Sequence, residues 1–154
     1  MKRAIQQATL IVMAGIALGL AANAVSPKRI PYITPPKPAV VDQNLITLEA
    51  AKELWGTGAG FFLDARAPAD YAAGHIALAF SLPVEAFDEH YNNVAPMLAP
   101  DTPVVAYCDG VECELSHRLA DRLRGLGYKD VRVLVNGWTA WRTAGYQTNT
   151  GTQP

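Results

Sequence analysis

Cys108 and Cys113 are the only cysteines in the chain, and both stand in one short run, YCDGVECE. A thiolate can serve as nucleophile, sulfur carrier or metal ligand, and its surroundings decide which. Cys108 closes the apolar run Val104–Tyr107, and Leu115, Leu119, Leu123 and Leu126 recur at helical spacing just beyond it. A cysteine between a strand end and a helix start meets backbone N–H groups and the positive end of the helix dipole, both of which favour the thiolate. Gly110 gives the turn freedom to curl its amides around an anion or a terminal sulfur. The competing interpretation is a buried cysteine that merely finishes a strand.

The candidate loop consists of Asp109, Gly110, Val111, Glu112, Cys113 and Glu114. A carboxylate ~7 Å from a thiolate costs it about 1.2 kcal/mol at an effective dielectric of about 40. Asp109, Glu112 and Glu114 together would offset the helix dipole and repel a dianionic donor. Cys113 is a candidate redox partner. It could resolve a persulfide or sulfenate on Cys108, or close a reversible disulfide if the two Cα atoms come within about 7 Å. The alternative is a packed thiol on the first turn of the helix. Cys108, Cys113 and His117 also make a C-x4-C-x3-H pattern, but no second Cys/His pair completes a structural zinc set. No metal and no cofactor are expected.

These residues need a scaffold. The chain of 154 residues suffices for one domain with its own core, and its half-apolar composition favours folding. Lys2 and Arg3 precede an uncharged apolar stretch, Ala8–Ala22, and Ala22-Asn23-Ala24 offers a small-x-small cleavage pattern. Residues 1–24 therefore predict either a signal peptide or a retained N-terminal membrane anchor. Both readings export the rest, to the periplasm or to the outer side of the inner membrane. Export would place the cysteines where a disulfide can persist. Residues 25–44, with five prolines between 25 and 40, predict an extended tether. The domain spans 45–148, and 149–154 is expected to be a disordered tail. The remainder is mildly acidic and has no basic run, which argues against nucleic acid and against peripheral membrane binding. Membrane contact is expected only through an uncleaved N-terminal segment.

Within the domain, Thr47 can cap a helix carrying Ala51, Leu54 and Trp55. Phe61–Leu63, Ala79–Leu82, Val104–Tyr107 and Val131–Val135 read as buried strands, alternating with helical segments. Such alternation predicts an α/β fold with a parallel sheet covered on both faces. Ligands of such sheets bind beyond the carboxyl ends of the strands, which is where Cys108 falls.

Several motifs occur in a telling order. They are Asp64-x-Arg66, the Gly74-His75-Ile76 run, the strand-Cys108 loop and a closing Gly137-Trp138-x-x-Trp141. Together, from Leu45 to Tyr146, they resemble the rhodanese-like family. The resemblance implies a sheet of about five parallel strands between helices. It also implies that Cys108 is the nucleophile of a sulfurtransferase, holding sulfane sulfur as a persulfide. The implied partners are a small sulfur donor or a protein thiol acceptor. Asp64, Arg66, His75, Ser116 and Arg118 are supporting candidates: an ion pair, a backbone-bound histidine, a hydroxyl aimed at the loop and a cation offsetting its acidity. The acidic loop departs from the family pattern and argues against thiosulfate as donor. Ala77-Leu78 departs too, standing where the family usually has Pro-Gly. Two other functions stay open: a thiol–disulfide protein using Cys108 and Cys113, and a non-catalytic binding module.

Overall fold

Side chains alternate between the two faces of a strand, and β4 (Val104–Tyr107) shows how this organises the domain. Val104, Ala106 and Cys108 enter one apolar cluster, while Val105 and Tyr107 enter another. The computed structural model describes residues 2–25, 44–110 and 114–154. The expected tether, but for Val25 and Asn44, and Val111, Glu112 and Cys113 of the loop lie outside the described residues.

Strands β1 (Phe61–Asp64), β3 (Phe80–Ser81), β4 and β5 (Val131–Leu134) form a parallel sheet in the order β3-β1-β4-β5. The expected fifth strand is reduced to one parallel bridge, Leu45 to Val133, beside β5. Asn44 accepts from the Val133 N–H at 2.7 Å, and Ile46 N–H donates to Val133 at 3.0 Å. The chain then turns at once into α2 (Leu48–Thr57), so the pairing cannot lengthen. Thr47 caps that helix as expected, its hydroxyl accepting from the Ala50 N–H at 3.2 Å.

Helix α5 (Leu115–Gly125) packs Leu119, Ala120 and Leu123 into the cluster that holds Cys108. Leu126 is 53% exposed, so the leucine stripe stops a turn earlier than its spacing suggests. The 3-10 turn Val84–Ala86 and α4 (Phe87–Val94) complete this face. The opposite face is covered by α2 and α6 (Gly137–Thr143), with Trp141 fully buried.

A small antiparallel pair, β2 (His75–Ile76) with β6 (Thr148–Asn149), was not anticipated. It brings part of the expected disordered tail onto the domain. Asn149 pairs with His75, and the Gly151 N–H donates to Ala72 O at 2.8 Å. The short helix α3 (Pro68–Ala73) runs into β2 at Gly74. Just after β2, Leu78 has φ +66° and is 64% exposed. An L side chain in this left-handed region costs ~1 kcal/mol or more, whereas glycine costs about 0.5 kcal/mol through its unfolded-state entropy. Leu78→Gly should therefore stabilise the domain by about 0.5 kcal/mol, seen as a higher denaturant midpoint at unchanged slope.

The N-terminal helix α1 (Lys2–Val25) forms a separate unit. Its stretch Ile5–Asn23 has mean hydropathy 1.8 and no buried share, which is long and apolar enough to cross a membrane.

Candidate functional site

Cys108 is the first residue beyond β4, at the carboxyl edge of the sheet, and it is fully buried. The alternation of β4 turns its side chain toward α5, where Sγ lies 3.2 Å from the Ser116 hydroxyl. Ser116 is itself 1% exposed on the first turn of that helix. Cys108 is disulfide-bonded in this structure. Cys113 is the only other cysteine of the chain and lies outside the described residues.

The backbone of the loop is fastened to α6. The Cys108 carbonyl accepts from the Trp138 N–H at 3.1 Å. Gly110, at φ +85°, donates its N–H to Asn136 Oδ1 and to Asp109 Oδ1, each at 3.0 Å. Asn136 holds a left-handed conformation, φ 52° and ψ 32°, which asparagine tolerates better than most residues. The Asn136-Gly137 step reads in the sequence as the turn from the last strand into a helix, but its bond to the Cys108 loop carries no sequence signal. Thr139 was also missed; its hydroxyl donates to Asp109 Oδ1 at 2.7 Å. Asp109 is thus directed toward α6, and Arg66 feels its charge. Its negative charge is partly answered there, so the loop opposes a thiolate less than three free carboxylates would. Glu114 precedes α5 without capping it through its side chain.

Asp64 and Arg66 come together, but on the other face of the sheet from Sγ. Both are buried, with Arg66 Nη2 2.6 Å from Asp64 Oδ2 and Nε 2.9 Å from Oδ1. The same carboxylate accepts the Arg66 backbone N–H at 3.0 Å, and Nη2 also donates to Gly74 O at 2.7 Å. Burial works against the guanidinium charge, but the Asp64 hydrogen bond and charge outweigh it, and the Arg66 pKa ends above its ordinary value. Trp138 covers this cation, with its ring centre 5.0 Å from Cζ. His75 is fully buried, stacked on Tyr71 with ring centres 3.8 Å apart, and its Nδ1 lies 2.9 Å from Tyr71 O. None of these contacts reaches Sγ. Arg118 pairs with Glu85 of the 3-10 turn, Nη1 to Oε1 at 2.5 Å.

Tyr107 was not foreseen as part of the support. Its phenol is buried beneath the edge, bonds to Asp64 and accepts the Ile76 N–H at 3.2 Å. Burial first, then the Asp64 charge, push its pKa well above the ordinary phenol value. Tyr71 is pushed to about 12 by burial and then by the Asp64 charge, and Tyr128 to about 12 by burial and then by its bond to Tyr91. An unfolded chain releases phenol protons near pH ~10, while these folded phenols keep theirs to higher pH. This contribution to stability is complete below pH ~10 and should be lost as pH climbs toward about 12. A thermal melt series across that window, read beside phenolate absorbance, checks it.

The rhodanese-like domain profile matches residues 47–144 of the chain. No curated protein matches the sequence. Among solved structures, a thiosulfate sulfurtransferase from Pseudomonas aeruginosa is similar at 29% identity and TM-score 0.59, over 70% of this chain and 20% of that one. The chain therefore spans about a fifth of that enzyme. A protein from Anabaena sp. is similar at 26% identity and TM-score 0.58, covering 69% of this chain and 80% of that one. A human single-domain sulfurtransferase shares the fold at 21% identity and TM-score 0.55, covering 65% of this chain and 96% of that one.

Proposed function

Because the chain belongs to the rhodanese-like domain family, we propose that it is a sulfurtransferase that carries sulfane sulfur as a persulfide on Cys108. The observation that supports this most is the placement of Cys108. Its sulfur lies at the carboxyl edge of β4, against the first turn of α5 and within hydrogen-bond range of the Ser116 hydroxyl. Reduction of the Cys108 disulfide by a dithiol frees the thiol. The Cys108 thiolate then attacks the outer sulfur of a donor. A Cys108 S–S bond forms, the donor's own bond to that sulfur breaks, and the leaving group departs with the electron pair. The Ser116 hydroxyl can donate to the anionic sulfur, as donors in an oxyanion hole do. Attack by an acceptor thiolate on the terminal sulfur then returns the Cys108 thiolate. A small sulfur donor and a small or protein thiol acceptor are the partners. The apolar helix α1, as a signal or anchor, supports an export reading in which the domain works in the cell envelope.

Intact mass after reduction, removal of reductant and incubation with several sulfur donors tests the proposal. The wild type should gain the mass of one sulfur with at least one donor, and Cys108→Ser should gain none. Equal gain in both proteins would overturn it.

The disulfide on Cys108 favours a second function, thiol–disulfide exchange through Cys108 and Cys113. Loss of two protons on mild oxidation, reversed by a dithiol and without sulfur uptake from any donor, would establish that function instead.

A further inference from the structure

Arg118 and Glu85 form an ion pair across the Cys108 side of the sheet edge. Arg118 follows Ser116 by two residues on α5, and Ser116 touches Sγ. Glu85 sits in the 3-10 turn Val84–Ala86, whose Val84 shares the apolar cluster of Cys108 and donates its N–H to Ala65 O at 3.4 Å. The pair is bidentate, at 2.5 Å and 3.4 Å. Each partner shifts the other toward its charged form, so both stay ionised at neutral pH. With side chains 51% and 69% exposed, the bridge adds little to stability. Its consequence is electrostatic. Among the described residues of α5, Arg118 is the first arginine and also feels the charge of Glu114, the last residue of the Cys108 loop; Glu85 cancels its charge.

We propose that Glu85 sets substrate selectivity at Cys108 by holding Arg118 in an ion pair, which withholds its positive charge from anionic donors such as thiosulfate. This rests on Cys108 being the reacting group. A donor carrying a compact double negative charge must then either break the bridge or approach a neutralised mouth. A donor with little charge meets no such barrier. Glu85 is here a positioning residue, acting through Arg118.

The test separates local charge from sulfur chemistry. In a Cys113→Ser background, reduced Cys108 is alkylated with neutral iodoacetamide and with anionic iodoacetate, the thiolate displacing iodide in both. Glu85→Gln should raise the ratio of the iodoacetate rate to the iodoacetamide rate by about fivefold at low salt, and the gain should fade at high salt. Made in an Arg118→Ala protein and compared with Arg118→Ala alone, Glu85→Gln should give no such gain. An unchanged ratio in Glu85→Gln, or the same gain in the double variant, would overturn the proposal, since simple charge removal would then explain everything. Thiosulfate loading should rise by a larger factor because the dianion carries twice the charge of iodoacetate, Sγ taking the outer sulfur while sulfite leaves with the electron pair. If the alkylation ratio responds while no donor loads sulfur, the selectivity device stands and the sulfurtransferase function falls.

Discussion

Asp64→Ala should destabilise the domain by about 3–5 kcal/mol, the range for removing one partner of a buried ion pair. Asp64 is completely buried and accepts from the Arg66 backbone N–H, from Nε and from Nη2. The alanine variant leaves the guanidinium buried with only Gly74 O as a strong acceptor. It also strips Tyr107 of its acidic partner directly below the Cys108 edge. The loss should come from the stranded charge rather than from the missing contacts. Asp64→Ala/Arg66→Met should therefore recover a large part of it, and chemical denaturation of the two variants measures that coupling. If the double variant is as unstable as the sum of the single changes, the stranded charge is not the cause.

Gly137→Ala should cost about 2–3 kcal/mol and impair the site as well. A Cβ at Gly137 would lie 2.7 Å from Tyr107 Cβ and 3.1 Å from Leu134 Cγ. Tyr107 ends the central strand β4 and Leu134 ends β5 paired beside it, and both are buried, so neither neighbour can yield cheaply. Relief requires α6 to move outward. That motion would stretch the Trp138 N–H bond to the Cys108 carbonyl and the Asn136 bond to Gly110. Lower stability with slower sulfur loading per folded molecule is the expected pair of results. Wild-type stability would show that the helix shifts without resistance.

The sheet was largely legible because its strands are short apolar runs bounded by turn residues, and parallel pairing follows from the helices between them. The site edge followed from the same pattern, since Cys108 ends Val104–Tyr107. Other features depend on contacts distant in sequence. Two-residue strands such as β2 and β6 carry no period of their own, and their pairing of His75 with Asn149 is set by the packing around them. The bridge at Leu45 stays single because α2 starts at Leu48. Glu85 looked like any exposed acid until the fold brought it to Arg118, 33 positions away. The acidity of Asp109 looked like a burden on the thiol, but Thr139 and Gly110 turn it toward α6.

A sulfurtransferase working through Cys108 must carry the transferred sulfur on that residue's own sulfur atom. The reduced wild-type chain, loaded from a donor and trapped with an alkylating reagent, can be cut into peptides and the modified residue located by fragmentation mass spectrometry. An alkylated persulfide is expected on Cys108, retained in Cys113→Ser and absent in Cys108→Ser. A persulfide found on Cys113 alone, or loading that survives Cys108→Ser, would contradict it.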